Sequence, residues 1–541
     1  MSFGFGFALP AYPLRGGGGN NPFNQLGPTL DLSFAGVVTD QSDPNGYTLN
    51  TNFIIPQYQI AAQYVVWETG VGLVDKTFSQ IITFTRASGA TWFNAAGNLV
   101  GVDFSVTSVT IGTGSKTFTL DATAGVNRSW AVGDSVLISQ QSNSANNMTG
   151  TVTSYTASTQ ALVVDVTSTG GSGTITSWRV SSLTPRFDYN PSTLAAQGLL
   201  IEESRTNSLL QSADFTTTWS QTNVTITANA TASPDGGTNG DGLLTTSAGA
   251  SIGQTSQSFT AGSTITFSVF AKKNASNFLR VELGNIVSCW WNLNTGATAS
   301  NNAGSGNVLF SAKSIQAISN GWYRCVLTVT TSTVTTLLTS IYATDTDGNT
   351  SSINSSVFLW GAQLEVGAFP TSYIPTTVAQ VTRDADVASV NTLSPWYNAT
   401  EGTLYAQGIL VGGTAGTFPY QAALVGSNAN NDSIGVQWTA ASGLMRFGVR
   451  SGGVAQADIP AGSGKSAGSS YKVAGRYAAN DFQAAGDGSL GTADTSGSVP
   501  TITALSLGGP VAFQVGASVW LQRVTYYPQG LSNAQLQAIT A

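Results

Sequence analysis

Short runs in which apolar and polar residues alternate recur along most of the chain, as in TITFSVF (residues 264–270) and VLTV (326–329), each set between clusters of Gly, Asn, Ser and Pro. Side chains on an extended strand point to opposite faces in turn, so this period of two predicts half-buried strands, and helical spacing is nearly missing. The expectation is an all-β chain of tandem antiparallel β-sandwiches, whose packed sheets need alternate inward residues and nothing more. One helix is predicted, at the end. Ser532 supplies an N-cap, Gln535 completes a capping box, and Leu531 with Leu536 forms a hydrophobic staple. The chain begins differently, with Phe3, Phe5 and Phe7 alternating with glycine and an uninterrupted glycine run at residues 16–19. Three rings spaced by two share one face of an extended arm, and the glycines can pivot. Such text serves an arm that docks by strand addition, or equally a free tail.

Composition narrows the chemistry. At 541 residues the chain is long enough for about three to five domains. Only 9 % of its residues are charged, with a formal net charge of −7, against roughly 25 % in ordinary soluble domains. A sparse, acidic charge disfavours nucleic acid, while a hydroxyl- and amide-rich surface suits sugars. Histidine is absent, which removes Ser-His-Asp and Cys-His nucleophiles and histidine-ligated zinc or haem. The two cysteines, Cys289 and Cys325, lie in apolar strand text and are expected to be buried, inert thiols. No apolar run reaches the roughly 18 residues of a membrane span, and no secretion signal is evident, so no membrane insertion is expected.

Several phrases resemble tailed-bacteriophage fibre and spike proteins. They are PRFDYNPSTLAAQGLLIEESRTN (185–207), FTRASGATWFNAAGNLV (84–100) and LWGAQLEVGAFPTSYIPT (359–376), the last resembling the closing strand and exit turn of a carbohydrate-binding-module-like jelly roll. Phrases such as WAVGDSVLIS (130–139) resemble a small β module of such fibres, and EGTLYAQG (401–408) with VWLQRVTYY (519–527) resembles a concanavalin-like laminin-G sandwich. The predicted layout is an anchoring arm over 1–30, an interrupted β domain over 31–102 and 181–208, and an inserted β knob over 103–180. A carbohydrate-binding-module-like sandwich over 209–390 and a laminin-G-like sandwich over 391–541 complete it. Insertions of this kind are tolerated at loop tips.

Candidate chemistry is thin. Glu202 and Glu203 are adjacent, so on a strand they face opposite ways and cannot form a glycosidase pair together. Those two, with Glu282, Glu365 and Glu401, are expected to serve in salt bridges or at the surface, with Arg86, Arg205 and Arg383 as partners. Asp345, Asp347 and Asn349 in ATDTDGNT offer three oxygen ligands but depart from the EF-hand pattern, so a hairpin turn is the stronger expectation and no metal or other cofactor is expected. Trp290, Trp291, Trp322 and Trp360 are candidate sugar-stacking rings, or core.

The resemblance implies a non-enzymatic structural protein of the virion, made in the host cytoplasm. It would be a homotrimeric tail fibre subunit, attached through Phe3, Phe5 and Phe7 to another virion protein and contacting host-surface polysaccharide. A head (capsid) decoration fibre with weak glycan binding is the alternative. A polysaccharide depolymerase tailspike is a third, although the short-period repeat of a β-helix is missing.

Overall fold

In the computed structural model of the chain, which describes residues 29–34, 64–68, 72–121, 130–304, 306–413, 420–429, 431–439, 442–509 and 517–541, the protein is all-β and built of several antiparallel sheets. Of the expected arm over residues 1–30, residues 1–28, with Phe3, Phe5 and Phe7, lie outside the described residues, and Leu30 already belongs to a strand.

The middle sandwich is continuous in sequence. Its first sheet orders the strands Ser220–Thr222, Ser251–Phe259, Thr335–Thr344, Phe278–Leu283, Val287–Asn292 and Ala297–Asn302. Its second runs Val224–Thr231, Gly240–Thr245, Ser356–Val366, Thr264–Lys273, Trp322–Thr331 and Val308–Ala317. Alternate residues point inward, and Phe267, Val269, Val281, Cys289, Trp291, Leu327 and Leu359 meet in one core. Cys289 and Cys325 are free and buried there, and burial pushes the Cys289 thiol up to about 12, which leaves it protonated and unreactive at neutral pH.

The insertion is a small barrel. Its strands run in the order Val102–Ser105, Trp178–Ser182, Ser135–Gln140, Asn143–Thr156, Ala161–Gly170 and Gly114–Thr119. A bridge from Ser105 to Leu120 and a hydrogen bond from the Asp121 amide to the Phe104 carbonyl (2.9 Å) then join the last strand to the first. The contact brings the two outer strands of the sheet together at one end. A separate core of Phe118, Ile138, Met148, Leu162, Val164 and Trp178 fills the interior. The two ends of the insertion pair with each other, Val102 opposite Ser181, so the barrel enters and leaves the host through one point.

The expected interrupted domain over 31–102 and 181–208 does not form a unit of its own. The strand Ala517–Tyr527 pairs along one side with Glu401–Gly413. Along its other side lie Ala196–Glu202 and then Leu30–Ser33, with Leu30 opposite Tyr526. Tyr64–Glu68 and Gly72–Lys76 extend that sheet, and Thr83–Thr85 joins the facing seven-stranded sheet beside Val387–Val390. Leu30, Leu32, Ile201, Leu404, Phe447 and Tyr526 therefore share one core. The reason is physical: a few short strands cannot bury their own apolar face and must borrow a partner sheet. The boundary at 390 moves for the same reason, since Val387–Val390 belongs to the C-terminal sandwich.

Two α-helices occur among the described residues, besides a short 3-10 turn at Ser319–Gly321. Phe78–Ile81 is a single turn that the alternation did not reveal. Asn533–Thr540 starts at Ser532, whose hydroxyl accepts from the Gln535 amide while the Gln535 side chain accepts from the Ser532 amide (2.8 Å). Leu531 and Leu536 are both buried against Tyr405 and Tyr527 on the outer face of the sheet.

Candidate functional site

Three of the phrases that stand out in the sequence converge on one buried ionic cluster. The Arg186 guanidinium donates to Glu202 Oε2 (2.6 Å), to the Ser372 hydroxyl (2.8 Å) and to the Thr91 carbonyl (3.2 Å), and pairs with Asp386 through its other terminal nitrogen. Arg86 donates to Asp386 Oδ1 (2.7 Å) and to the carbonyls of Ser88 (2.8 Å) and Ser182 (2.9 Å). Arg383 donates to the Glu203 carbonyl (2.6 Å) and stands 3.5 Å from Glu202. Glu202 is completed by the amide and hydroxyl of Ser372 (2.8 and 2.6 Å). The side chains of Arg86, Arg186, Arg383, Glu202 and Asp386 are 0–1 % exposed.

Each module contributes. Arg86, Arg186 and Asp386 flank strands of the C-terminal sandwich and Glu202 ends one, Ser182 ends a barrel strand, and Ser372 lies in the exit turn of the middle sandwich. Burial raises the carboxyls, but Arg383, Arg186 and the Ser372 groups outweigh it and hold Glu202 at about 2. Asp386 is likewise held low by Arg186, Arg86 and Arg383 against the effect of burial. A second layer clamps the exit turn: Glu365 accepts from Gln363 (2.7 Å), from the Thr371 amide (3.0 Å) and from its hydroxyl (2.7 Å), and Asn207 donates to the carbonyls of Ala362 (3.1 Å) and Ile374 (2.9 Å). Arg205 pairs with Glu203 and lies over the Phe369 ring. Charges this enclosed fix geometry; they have no route to a substrate.

The remaining sequence candidates separate. All four tryptophans are buried; Trp290, Trp291 and Trp322 are corrected to packing roles, whereas Trp360, itself 3 % exposed, also lines the cleft between the barrel and the middle sandwich. Trp291 is fully buried in the middle sandwich and donates to the Ser314 carbonyl (2.8 Å). Trp290 points to the other face but is roofed by Arg280 and donates to the Asn349 carbonyl (2.9 Å). Trp322 and Trp360 join Leu99, Phe270 and Tyr373 in a cluster under the 92–100 hairpin. The oxygens of Asp345, Asp347 and Asn349 diverge: Asp345 accepts from Ser276 and Ser355, Asp347 from the amide and hydroxyl of Ser300, and Asn349 from the Ser351 amide. Among the described residues no group of three or more Asp, Glu, Cys or His gathers as a metal site. Glu282 is tied to Arg280, Ser288 and Tyr342, while Glu401 is exposed.

One cavity escaped the sequence because it lies between modules. A cleft of about 400 Å³ opens where the barrel and the 92–100 hairpin face the loops of the middle sandwich. Leu99, Val100, Val102 and Phe104 come from the first side, and Asp214, Asn229, Asp235, Asn239 and Asp241 from the second. The acceptors are held in place. Asp241 accepts from the amides of Phe215 (2.9 Å) and Asn229 (3.0 Å), Asp214 from the amide and hydroxyl of Thr216 (2.8 and 2.6 Å), and Asp235 from the Ser233 hydroxyl (2.5 Å) and the Gly237 amide (2.9 Å). Burial raises the Asp241 carboxyl, partly offset by those two amides.

No family model and no curated protein matches the chain. Among solved structures, the chain is similar to the Ruminococcus gnavus IT-sialidase CBM40 bound to alpha2,3 sialyllactose, at 19 % identity over 27 % of this chain and 84 % of that one, with a TM-score of 0.22. A SAP-like pentraxin from Limulus polyphemus shares 11 % identity over 26 % of this chain and 70 % of its own, with a TM-score of 0.22. Trypanosoma rangeli sialidase shares 10 % identity over 88 % and 96 %, with a TM-score of 0.24. Likenesses this slight carry no function across.

Proposed function

We propose that the protein is a non-enzymatic structural subunit of a tailed-phage particle, a fibre whose modules are locked into one body and meet glycan on the host surface. The observation that carries this reading is the buried cluster of Arg86, Arg186, Arg383, Glu202 and Asp386. The phrases resembling phage fibres supply its Arg86, Arg186, Glu202 and Ser372, and they spend their charge on holding modules in register. Glu202 and Glu365, which a glycosidase would need at a substrate, are buried and committed to internal partners, which supports binding rather than hydrolysis.

The fold also supports a direction. Leu30–Ser33 is sewn to Val524 and its neighbours, so any anchor preceding Thr29 leaves from the C-terminal sandwich. The barrel and middle sandwich are then the modules free to meet the cell, and a tail fibre trimer presents three copies for avidity. The test is incorporation. Protein lacking residues 1–28 should fold with an unchanged melting temperature yet be missing from purified particles. Normal copy number in particles, or measurable release of reducing ends from host polysaccharide by the purified protein, would overturn the reading.

A further inference from the structure

We propose that Asn320, in the turn that leads into strand Trp322–Thr331, is a site of spontaneous deamidation, and that the modified turn loosens the hold of the 92–100 hairpin on the middle sandwich. The site is independent of what the particle binds.

Asparagine followed by glycine is the sequence in which a backbone nitrogen reaches the side-chain amide most easily, because glycine has no Cβ to obstruct the approach. The Gly321 nitrogen attacks Asn320 Cγ, the Cγ–Nδ2 bond breaks, and ammonia leaves with the proton from the Gly321 N–H. Water then opens the cyclic imide at either carbonyl, giving aspartate or isoaspartate. No oxidant or cofactor enters. Asn-Gly occurs three times in the chain, at 45–46, outside the described residues, at 239–240 and at 320–321.

The fold separates the two described copies. The Asn239 side chain accepts from the Trp360 indole N–H (3.1 Å) and from the Ser233 hydroxyl, and donates to Asp235 Oδ2 (3.3 Å). Gly240 begins a strand and lies opposite Thr231. Asn320 and Gly321 are exposed instead, and the Asn320 side chain makes no hydrogen bond among the described residues. Asn320 adopts φ 58° and ψ 29° within the three-residue 3-10 turn Ser319–Gly321, so ring closure requires the turn to open. A single exposed 3-10 turn has poor hydrogen-bond geometry and opens at small cost, whereas a clamped side chain beside a paired strand does not.

The turn is part of a module junction. Ile318 on one side of it and Trp322 on the other are buried with Leu99, Phe270, Trp360 and Tyr373. The Ser319 hydroxyl donates to the Gly97 carbonyl (3.1 Å) at the hairpin tip. Isoaspartate lengthens the backbone by a methylene between those two buried anchors, a change that close-packed surroundings register. Either product also adds a negative charge beside the hairpin.

The test ages the full chain at mildly alkaline pH and follows it by peptide mass spectrometry, with isoaspartyl methyltransferase labelling for the rearranged product. Asn320 should gain the mass of an amide-to-acid exchange about tenfold faster or more than Asn239. The Leu99 amide, which donates to the Pro234 carbonyl (2.9 Å), should then exchange its hydrogen faster in the aged protein. Asn320→Gly suits the positive φ and removes the reacting amide, so the same ageing should leave the Leu99 amide as it was. Comparable rates at Asn239 and Asn320 overturn the proposal, as does an unreacted Asn320 under conditions that deamidate a synthetic peptide of residues 316–324. Equal loss of Leu99 protection in aged Asn320→Gly, or protection unmoved once Asn320 is modified throughout the sample, also overturns it.

Discussion

The two sandwiches are built from the same kind of strand but by opposite routes. Every strand of the middle one lies within residues 220–366, so each sheet finds its partner nearby in sequence. The C-terminal one is collected from Leu30–Ser33, Tyr64–Lys76, Thr83–Thr85, Phe187–Glu202 and Val387–Tyr527. The first is a domain in sequence and in space, the second in space alone. The difference shows that the phrases between modules serve the gathered sandwich, and that the ionic cluster sits where its scattered pieces must be brought together.

The strongest way to break this comparison is to cut the chain. A fragment of residues 208–380 should be soluble, cooperative on heating and well dispersed by NMR. A fragment of residues 391–541, missing five strands of the large sheet and two of the facing one, should aggregate or stay unfolded. Independent folding of the second would show that the borrowed strands are decoration.

Next in size is the cluster. Arg186→Met strands Glu202 and Asp386 without their shared cation, and removing one partner of a buried ionic group typically costs about 3–5 kcal/mol. Chemical denaturation should record that loss. Limited proteolysis should then find new cleavage near residues 367–386, whereas Arg446→Met, at an exposed pair with Asp458, should change stability by less than about 1 kcal/mol.

Two buried carboxyls pull the pH dependence in opposite directions. Glu202 is held at about 2 in the fold, below its unfolded value of about 4, so its contribution is complete above pH 4 and is lost as pH falls through 2. Asp188 is raised to about 6, chiefly by burial and against hydrogen bonds from the Phe93 amide and the Trp520 indole. Its contribution is complete below about pH 4 and is lost as pH rises through 6, a span worth roughly 2–3 kcal/mol. Stability measured from pH 3 to 8 should therefore fall between 4 and 6 in the native chain, and Asp188→Asn should flatten that segment. An unchanged slope in the variant would remove Asp188 as its source.

The smallest effect belongs to the middle sandwich alone. Asp347→Ala removes an exposed clasp on Ser300 and should shift stability by no more than about 0.5 kcal/mol. Millimolar calcium should leave the melting temperature of either form in place.

What was legible in the sequence was local. The alternation over Thr264–Lys273 marked a strand with one face in the core, and Ser532 with Gln535 marked a helix start, because in both cases the interacting residues are close in the chain. Leu30 opposite Tyr526 was not legible, since nothing in LDLS names a partner nearly five hundred residues away. Arg86, Arg205 and Arg383 hold carboxylates or carbonyls as the sequence predicts, but Arg186 and Asp386 carry no local signal inside PRFDY and TRDAD. The tryptophans misled for a definite reason. Trp290 obeys the alternation by pointing away from Trp291, and only Arg280 and the Asn349 loop, packed from elsewhere, hide it. Of the cleft only Trp360 was legible, as a candidate ring, because its two walls belong to modules whose relative placement no local pattern encodes.

The pairing of Leu30–Ser33 with the last long strand also sets a timetable for synthesis. At about 5–20 residues per second, a ribosome needs roughly half a minute to two minutes to travel from the first of these strands to the second. The barrel and the middle sandwich have all their residues during that interval and can close as they emerge. The opening strands, with Leu30 and Leu32 bare, must wait for Val519, Leu521 and Val524 to leave the exit tunnel. The end of the protein that would face the particle is thus the last to be finished, and a chain cut short anywhere before Ala517 never completes it. Products cut between Val366 and Ala517 would carry complete outer modules on an unsealed base.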